Sequence, residues 1–271
     1  MGMPITVEIV DTAIFSAANE KVLATVFDYF TYIDEKFSTY KPESEMMRIN
    51  RGELAEKDWS DDMRVIFMLA EETKQRTNGF FDIRRPEHDD GKAPFYDPSG
   101  IVKGWAIFQA AKLLESHGFE NFYIDAGGDI QTHGKNAEGK KWSIGIRNPI
   151  KNLLNDSGQH EIVKTIYAPA DNLQSGIGVA TSGTYIRGEH IYNPHDPTKS
   201  GGTAENEVVS LTVIGPNIYE ADRFATAAFA MGAAGIHFIE SIAKSSQLEG
   251  YMIDKNGIAT MTTGFEKYTK E

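Results

Sequence analysis

The stretch DPSGIVKGWAIFQAAKLLESHGFENFYIDAGGDI, residues 97–130, predicts a helix followed directly by a strand. From about Ile101 to His117 the apolar residues recur at helical spacing, and Gly118 stops the pattern. The strand that follows is interrupted by Gly127–Gly128, where a bulge or a close backbone approach is the usual reason for glycine. The stretch therefore predicts a helix packed beside a sheet.

Working outward, helices and strands occur in mixed order. Amphipathic helices are predicted over 16–37, over 60–76 with Ser60 as N-cap, over 219–231 and over 233–244. Residues 38–50 look like a polar loop, and 150–175 follow no clear pattern. The strands are predicted over 5–10, 122–133, 141–149, 176–181 and 208–214 and in a hairpin around Asn256–Gly257. Because strands adjoin strands as often as helices, we expect an α+β fold with mixed or antiparallel sheets.

The bulk properties limit the function classes. The 271 residues fit one domain, 1–271, or two closely packed halves, and 41% hydrophobic content is enough for a core. A net charge of −12 argues against a nucleic-acid or anionic-membrane binder. With no cysteine, disulfides, thiolate metal sites and a cysteine nucleophile are excluded. No signal peptide or membrane span is visible, so we expect a soluble cytoplasmic protein.

The segment around the start of the predicted 101–117 helix could bind phosphate. Asp97 and Ser99 precede that helix, whose free N–H groups and positive dipole end suit an anion. Gly100 allows close approach, and Lys103 adds positive charge one turn later. The simpler interpretation, a capped helix with a glycine before it, is equally compatible with the segment.

Two further segments offer acidic groups. In DAGGDI (125–130), Asp125 and Asp129 suit either a functional site or ordinary turn capping. In YEADRFATAAFAMG (219–232), Asp222 and Thr226 are one helical turn apart and present oxygens that suit Mg²⁺. The alternative is a partly exposed helix N-terminus, where the dipole favours Asp222, together with a buried Thr226. No Walker A loop, nucleophile elbow, zinc-protease motif or dinucleotide fingerprint is present.

Taken in order, seven segments resemble the ApbE family, the FAD:protein FMN transferases. The segments are the Met1–Gly2 opening, STYKPESEMMRIN (38–50), GFFDI (79–83), the stretch 97–130, ATSGTY (180–185), HIYNP (190–194) and EADRFATAAFAMG (220–232). The resemblance implies an α+β fold related to the tunnelling fold. It also implies transfer of the FMN half of FAD to a threonine or serine of an acceptor flavoprotein, with Mg²⁺ at the pyrophosphate and release of AMP.

The same resemblance implies roles for individual residues. Asp222, Thr226 and the backbone oxygen of Gly100 would bind Mg²⁺. Ser182–Gly183 would let the backbone pass beside FAD. His190 would be the general base, since its unperturbed pKa is near 6.5, with Asp129 as the second candidate. The remaining residues expected to contact FAD are Met1, Tyr40, Phe81, Asp82, Ile83, Asp97, Lys103, His190 and Ile191.

The sequence departs from the family pattern at two places and leaves two other functions open. Met3 stands where the family has threonine, Asn193–Pro194 replaces Asp-Pro, and the Thr-Gly that normally follows is displaced into HDPTKSGG. That displacement affects how an acceptor docks more than how FAD binds. The alternatives are an FAD pyrophosphatase, which needs no acceptor, and a flavin-binding protein without turnover. Asp222 and Thr226 argue against the latter, because FAD binding by itself needs no metal.

Overall fold

The computed structural model describes residues 2–11, 17–85, 95–150, 161–168, 176–183, 191, 193–195 and 208–270. Its centre is a seven-stranded sheet in the order β1-β4-β5-β8-β9-β10-β11, and every neighbouring pair is antiparallel. The strands of this sheet are β1 (Ile5–Ile9), β4 (Phe122–Ala126), β5 (Asp129–His133), β8 (Gly178–Gly183), β9 (Val208–Gly215), β10 (Glu249–Asp254) and β11 (Ala259–Met261).

Two short antiparallel pairs stand apart from the main sheet. The first joins β2 (Arg84–Arg85) to β3 (Phe95–Tyr96). The second joins β6 (Ser143–Arg147) to β7 (Ile162–Tyr167). The helices are α1 (Ala17–Phe37), α2 (Glu45–Asn50), α3 (Asp61–Arg76), α4 (Ser99–Ser116), α5 (Ile218–Ala230) and α6 (Ala234–Ser246), and 3-10 turns cover Glu56–Asp58 and Phe265–Thr269. The predicted α+β class with antiparallel sheet is confirmed.

Apolar side chains form one core on each face of the main sheet. The larger core lies between the sheet and the helices, with Ile33 of α1, Ile107 of α4 and Phe224 of α5 fully buried. The smaller core lies between the other face and the β6–β7 pair, and it includes Ile144, Ile166 and Phe265. Because each strand points alternate residues to opposite faces, one sheet can serve both cores.

Several predicted helix and strand boundaries are confirmed. Ser60 caps α3 by accepting the Met63 N–H, as its position before the apolar pattern indicated. The 97–130 stretch folds as a helix and then an antiparallel hairpin, with Gly127 and Gly128 both at positive φ in the turn. Gly257 at φ 79° forms the turn before β11.

Other predictions were wrong, each for a local reason. The loop predicted at 38–50 contains the helix α2, and Ser44 caps this helix by accepting the Met47 N–H. A helix of six residues is too short to show a recognisable apolar periodicity in the sequence. The unassigned 150–175 segment contains β7, whose two-residue alternation is weak because its first residues are exposed. Ser99 begins α4 instead of preceding it, and Phe27, expected on the buried stripe of α1, is 43% exposed.

Among the described residues, no helix is long and apolar enough to cross a membrane.

The helical layer owes its position to close backbone contacts. A Cβ atom at Gly178 of β8 would lie 2.0 Å from the Asn217 carbonyl carbon, so the start of α5 rests directly on the sheet. The Ile218 N–H donates to the buried Gln131 side chain over 2.8 Å. Two strands thus fix the helix that carries Asp222 and Thr226.

Candidate functional site

A cleft opens where α4, α5, the β4–β5 turn and the end of β8 meet. It encloses about 960 Å³ of space, part of it open to solvent. The cleft is lined by Phe80, Phe81, Asp82, Arg85, Asp97, Ser99, Gly100, Lys103, Gly127, Thr181, Ser182, Gly183, Ile191, Pro194, Asp222 and Thr226.

Helices α4 and α5 cross in close contact at the base of the cleft. Gly100 and Gly104 are one turn apart on α4, and they face Thr226 and Asp222, one turn apart on α5. A Cβ atom at Gly100 would lie 3.1 Å from Thr226 Cγ2, and one at Gly104 would lie 2.6 Å from Asp222 Cβ. Glycine at both positions therefore lets α5 bring its two oxygen-bearing side chains against α4.

Asp222 is buried and held in place. Its side chain is about 4% exposed, and its Oδ2 accepts the Gly104 backbone N–H over 2.8 Å. Desolvation raises the pKa of Asp222, while the nearby Lys103 ammonium opposes that rise. The expectation of a partly exposed helix N-terminus was wrong, because Asp222 is the fifth residue of α5 and the sheet and α4 cover that turn.

Lys103 connects the two buried carboxylates. Its Nζ lies 2.5 Å from Asp129 Oδ2 and 3.7 Å from Asp222 Oδ1. Asp129 Oδ1 also accepts the Thr181 N–H over 3.3 Å. Asp129 is only 2% exposed and lies behind the lysine, so its carboxylate positions the Lys103 ammonium at the cleft wall.

The opposite wall comes from the segment around α2, β2 and β3. Asn50 at the end of α2 exchanges two hydrogen bonds with the Tyr96 backbone, at 2.9 and 2.8 Å. The Asp97 N–H then donates to the Ile83 carbonyl over 2.7 Å. The Asp97 carboxylate accepts the Ser99 N–H and pairs with Arg85 over 3.0 Å. Through Asn50 and Tyr96, the 38–50 segment thus holds Asp97 in place, two residues before α4.

Most of the residues predicted for the site converge on this cleft. Phe81, Asp82, Asp97, Gly100, Lys103, Ser182, Gly183, Ile191, Asp222 and Thr226 line it. Ile83 is buried behind the wall, with 6% exposure. Tyr40 is 94% exposed and is not among the described residues that line the cleft. Met1 and His190 lie outside the described residues, so their predicted roles stay predictions.

Four lining residues were missed by the sequence reasoning. Phe80, Thr181 and Pro194 lie inside the segments GFFDI, ATSGTY and HIYNP, where neighbours were chosen instead. Arg85 follows GFFDI by two residues, and its charge was the available signal in an acidic chain. Beside the cleft, His195 contacts Phe80 at a ring separation of 4.4 Å, and its Nε2 lies 2.9 Å from the Asn78 carbonyl oxygen.

The oxygen donors fit a magnesium ion that keeps other ligands. No group of three or more His, Asp or Glu side chains suited to a metal occurs in the described part of the chain. Mg²⁺ needs fewer, since it binds one or two carboxylates and completes its octahedron with water and phosphate oxygens. Asp222, the Thr226 hydroxyl and the Gly100 carbonyl supply such a partial set. The Gly104 N–H, one turn after Gly100, donates to the Asp222 carboxylate.

Comparisons with known proteins agree with this architecture. The model of the ApbE family matches residues 1–85 and 91–252. A curated relative from Haemophilus influenzae, named FAD:protein FMN transferase, is 25% identical over 100% of this chain and 90% of its own length. A relative of the same name from Vibrio cholerae is 33% identical over 64% of this chain and 47% of its own length.

Two solved structures share the fold. The flavin transferase ApbE of Vibrio cholerae has a TM-score of 0.76 at 22% identity, covering 99% of this chain and 96% of that one. The flavinyl transferase ApbE of Pseudomonas stutzeri, in its apo form, has a TM-score of 0.74 at 18% identity, covering 98% of this chain and 96% of that one. From the family match along most of its length, together with this fold, the chain belongs to the ApbE family.

Proposed function

We propose that this protein transfers FMN from FAD to a threonine or serine hydroxyl of an acceptor flavoprotein, with Mg²⁺ bound, and releases AMP. Curated relatives that carry the name FAD:protein FMN transferase support the proposal. The observation that carries it is the convergence of Asp222, Thr226 and Lys103 in one cleft at the first turn of α4. This arrangement supports the proposal because it brings oxygen donors, a cation and a helix N-terminus together, as a magnesium-bound pyrophosphate would require.

The cleft has the charge pattern of a dinucleotide site. Gly100 lies in the first turn of α4, where backbone N–H groups have no partner within the helix and attract phosphate, while the Ser99 N–H donates to the Asp97 carboxylate. Lys103 is 19% exposed and Arg85 is 21% exposed, so both cations are accessible from the cleft. Asp82, Asp97 and Asp222 line the same cleft, so bound Mg²⁺ would supply the remaining positive charge that the pyrophosphate needs.

Asp222, Thr226 and Gly100 would hold the magnesium ion. When bound, Mg²⁺ polarises the pyrophosphate and stabilises the negative charge that develops on the leaving AMP. Lys103 sits next to Asp222 and would contact the same phosphate oxygens. Asp129 keeps the lysine in this place, because the two form an ion pair at 2.5 Å.

The transfer step is a substitution at phosphorus. The acceptor hydroxyl oxygen attacks the phosphorus of the FMN half and forms a new P–O bond. The P–O bond to the AMP phosphate breaks, and AMP leaves with the electron pair, while the hydroxyl proton passes to a base. Catalysis then consists mainly of positioning and charge stabilisation. His190 remains the first candidate for the base. Asp129, buried and paired with Lys103, suits a positioning role better.

The test is incubation of the purified protein with FAD, Mg²⁺ and candidate acceptor flavoprotein domains, followed by intact-mass measurement. An acceptor that gains the mass of one FMN group, together with free AMP, supports the proposal. Release of FMN and AMP with no change in any acceptor would favour the pyrophosphatase. FAD that stays intact on the protein would indicate a flavin-binding protein.

A further inference from the structure

A second depression lies on the face of the main sheet that carries the β6–β7 pair. It encloses about 540 Å³, part of it open to solvent, between β6 and the β4–β5 turn. We call it the β6 groove, defined by Gly128, Ile130, Ile144, Gly145, Arg147 and Val179. Its floor is apolar, because Ile144 and Val179 belong to the smaller core. Arg147 is exposed at its edge.

One edge of the groove is a strand with free pairing capacity. Within the described residues, β6 pairs only with β7. Alternate residues along such a strand direct their N–H and C=O groups away from the partner. An extended peptide can add to this kind of edge through main-chain hydrogen bonds. Gly128 in the groove leaves space for a second backbone to approach, because a Cβ atom there would have no heavy atom within 4 Å; a Cβ atom at Gly145 would instead lie 2.7 Å from the Ile162 side chain.

The β6 groove is continuous with the cleft. Gly127 and Thr181 line both depressions. The β5–β8 pairing ends at Ile130 and Val179, and beyond it the strands are joined by the Asp129 carboxylate and the Thr181 N–H. Residues on β5 therefore serve both sides of the sheet, since Asp129 contacts Lys103 while Ile130 faces the groove. A chain lying in the groove can reach the cleft beside Gly127 and Thr181.

We propose that the β6 groove binds the segment of the acceptor flavoprotein that carries the target hydroxyl. The segment lies extended along β6 as an added strand, with Arg147 pairing with one of its carboxylate or carbonyl oxygens, and its hydroxyl enters the cleft past Gly127 and Thr181. This inference rests on the proposed function, because only a transferase needs a second macromolecule at this point.

The first test measures transfer kinetics with an acceptor domain that gains the FMN mass with the wild-type protein. Arg147→Glu reverses the charge at the groove edge, in a groove that Asp125 also lines, and Ile130→Trp fills the apolar floor. We expect each variant to raise the KM for the acceptor at least about tenfold, which corresponds to about 1.4 kcal/mol of lost binding. We expect an unchanged kcat and an unchanged Kd for FAD. Lys244→Glu, an exposed charge reversal on α6 across the sheet, is the matched control and should behave as wild type.

The second test is hydrogen exchange of the wild-type protein with and without the same acceptor domain. We expect slower exchange in residues 143–147 and no change at β11, whose residues 259–261 are an exposed strand at the edge of the main sheet. Protection at β11 without protection at β6 would overturn the proposal, and so would an unchanged KM in both groove variants.

The outcomes separate the two proposals. If the wild-type protein labels no acceptor, the proposed function fails and the groove assignment falls with it. If the wild-type protein labels the acceptor but both groove variants match it in KM, only the groove assignment fails. If Ile130→Trp folds poorly, the KM of Arg147→Glu decides the test by itself, provided that this variant has the melting temperature of the wild-type protein.

Discussion

Gly104 donates its backbone N–H to the buried Asp222 carboxylate over 2.8 Å, and a Cβ atom at position 104 would lie 2.6 Å from the Asp222 Cβ atom. The same contact therefore sets the spacing of helices α4 and α5 and orients a metal ligand. The second contact between the two helices, one turn away, is less tight: a Cβ atom at Gly100 would lie 3.1 Å from Thr226 Cγ2. The site therefore depends on two glycines, because neither has a side chain that would push the helices apart.

The first prediction concerns this helix contact. Gly104→Ala should lower the free energy of unfolding by about 1–3 kcal/mol, because an extra carbon in a packed core forces the helices apart. It should also abolish transfer, because Asp222 moves with α5. Gly100→Ala should cost less stability, since its nearest neighbours are side-chain atoms at 3.1 and 3.2 Å. Urea unfolding measures both; wild-type stability in Gly104→Ala would show that the helices are not in this contact.

The second prediction concerns pH. Burial raises the pKa of Asp222 from its ordinary value of 3.8 to about 7. A raised pKa in the folded state means that this group stabilises the fold most below pH 3.8, and that this contribution is lost as pH rises through about 7. In metal-free protein, Asp222→Asn should therefore gain stability relative to wild type between pH 4 and 8. The free energy of unfolding of the two proteins is measured as a function of pH. A difference between them that stays constant from pH 4 to 8 would contradict the prediction.

The third prediction concerns the proposed metal. Thr226→Val replaces the hydroxyl by a methyl group of similar size, so the fold should persist while Mg²⁺ binding weakens. We expect the Kd for Mg²⁺, measured by calorimetry in the presence of FAD, to rise about tenfold or more, as loss of one ligand costs at least about 1.4 kcal/mol. Thr25→Val, an exposed threonine on α1, is the control. An unchanged Kd in Thr226→Val would remove this residue from the metal site.

The fourth prediction concerns ligand preference. The cleft spans from the α4 N-terminus to Phe80 and Pro194, so it should hold both halves of the dinucleotide. We expect tighter binding of FAD than of FMN or AMP in calorimetric titrations. Asp97→Ala should weaken FAD binding, because it removes the carboxylate that orients Arg85 and accepts the Ser99 N–H at the start of α4. Equal affinity for FAD and FMN would count against a site for the adenine half.

The fifth prediction separates the two candidate bases. If His190 accepts the proton, His190→Ala should lower the transfer rate about 10²–10⁴-fold at saturating FAD. Asp129→Asn should instead weaken FAD binding, because Lys103 loses its ion-pair partner at 2.5 Å. Turnover and FAD affinity of both variants, measured side by side, distinguish the roles. Full turnover of His190→Ala at saturating FAD would end its assignment as base.

The sequence alone determined the local structure and the family. Caps such as Ser60, the turn at Asn256–Gly257 and the glycine-broken hairpin at 127–128 are decided by residues close together in the chain. Such signals depend on backbone preferences and short-range hydrogen bonds, which are encoded within a few positions. The ordered segments that resemble the ApbE family also named ten of the residues that line the cleft.

Only the tertiary structure decided which of those residues face the cleft and which support it. Gly104 and Asp222 are 118 positions apart, and the sequence left open whether Asp222 binds a metal or lies at a partly exposed helix N-terminus. The packing of α5 on β8 and α4 buries it instead. Asp129 became a partner of Lys103 for the same reason, and β6, which pairs only with β7 among the described residues, came to lie along a groove beside the cleft. Burial and long-range contacts arise from the joint packing of all elements, so no single segment of sequence contains them.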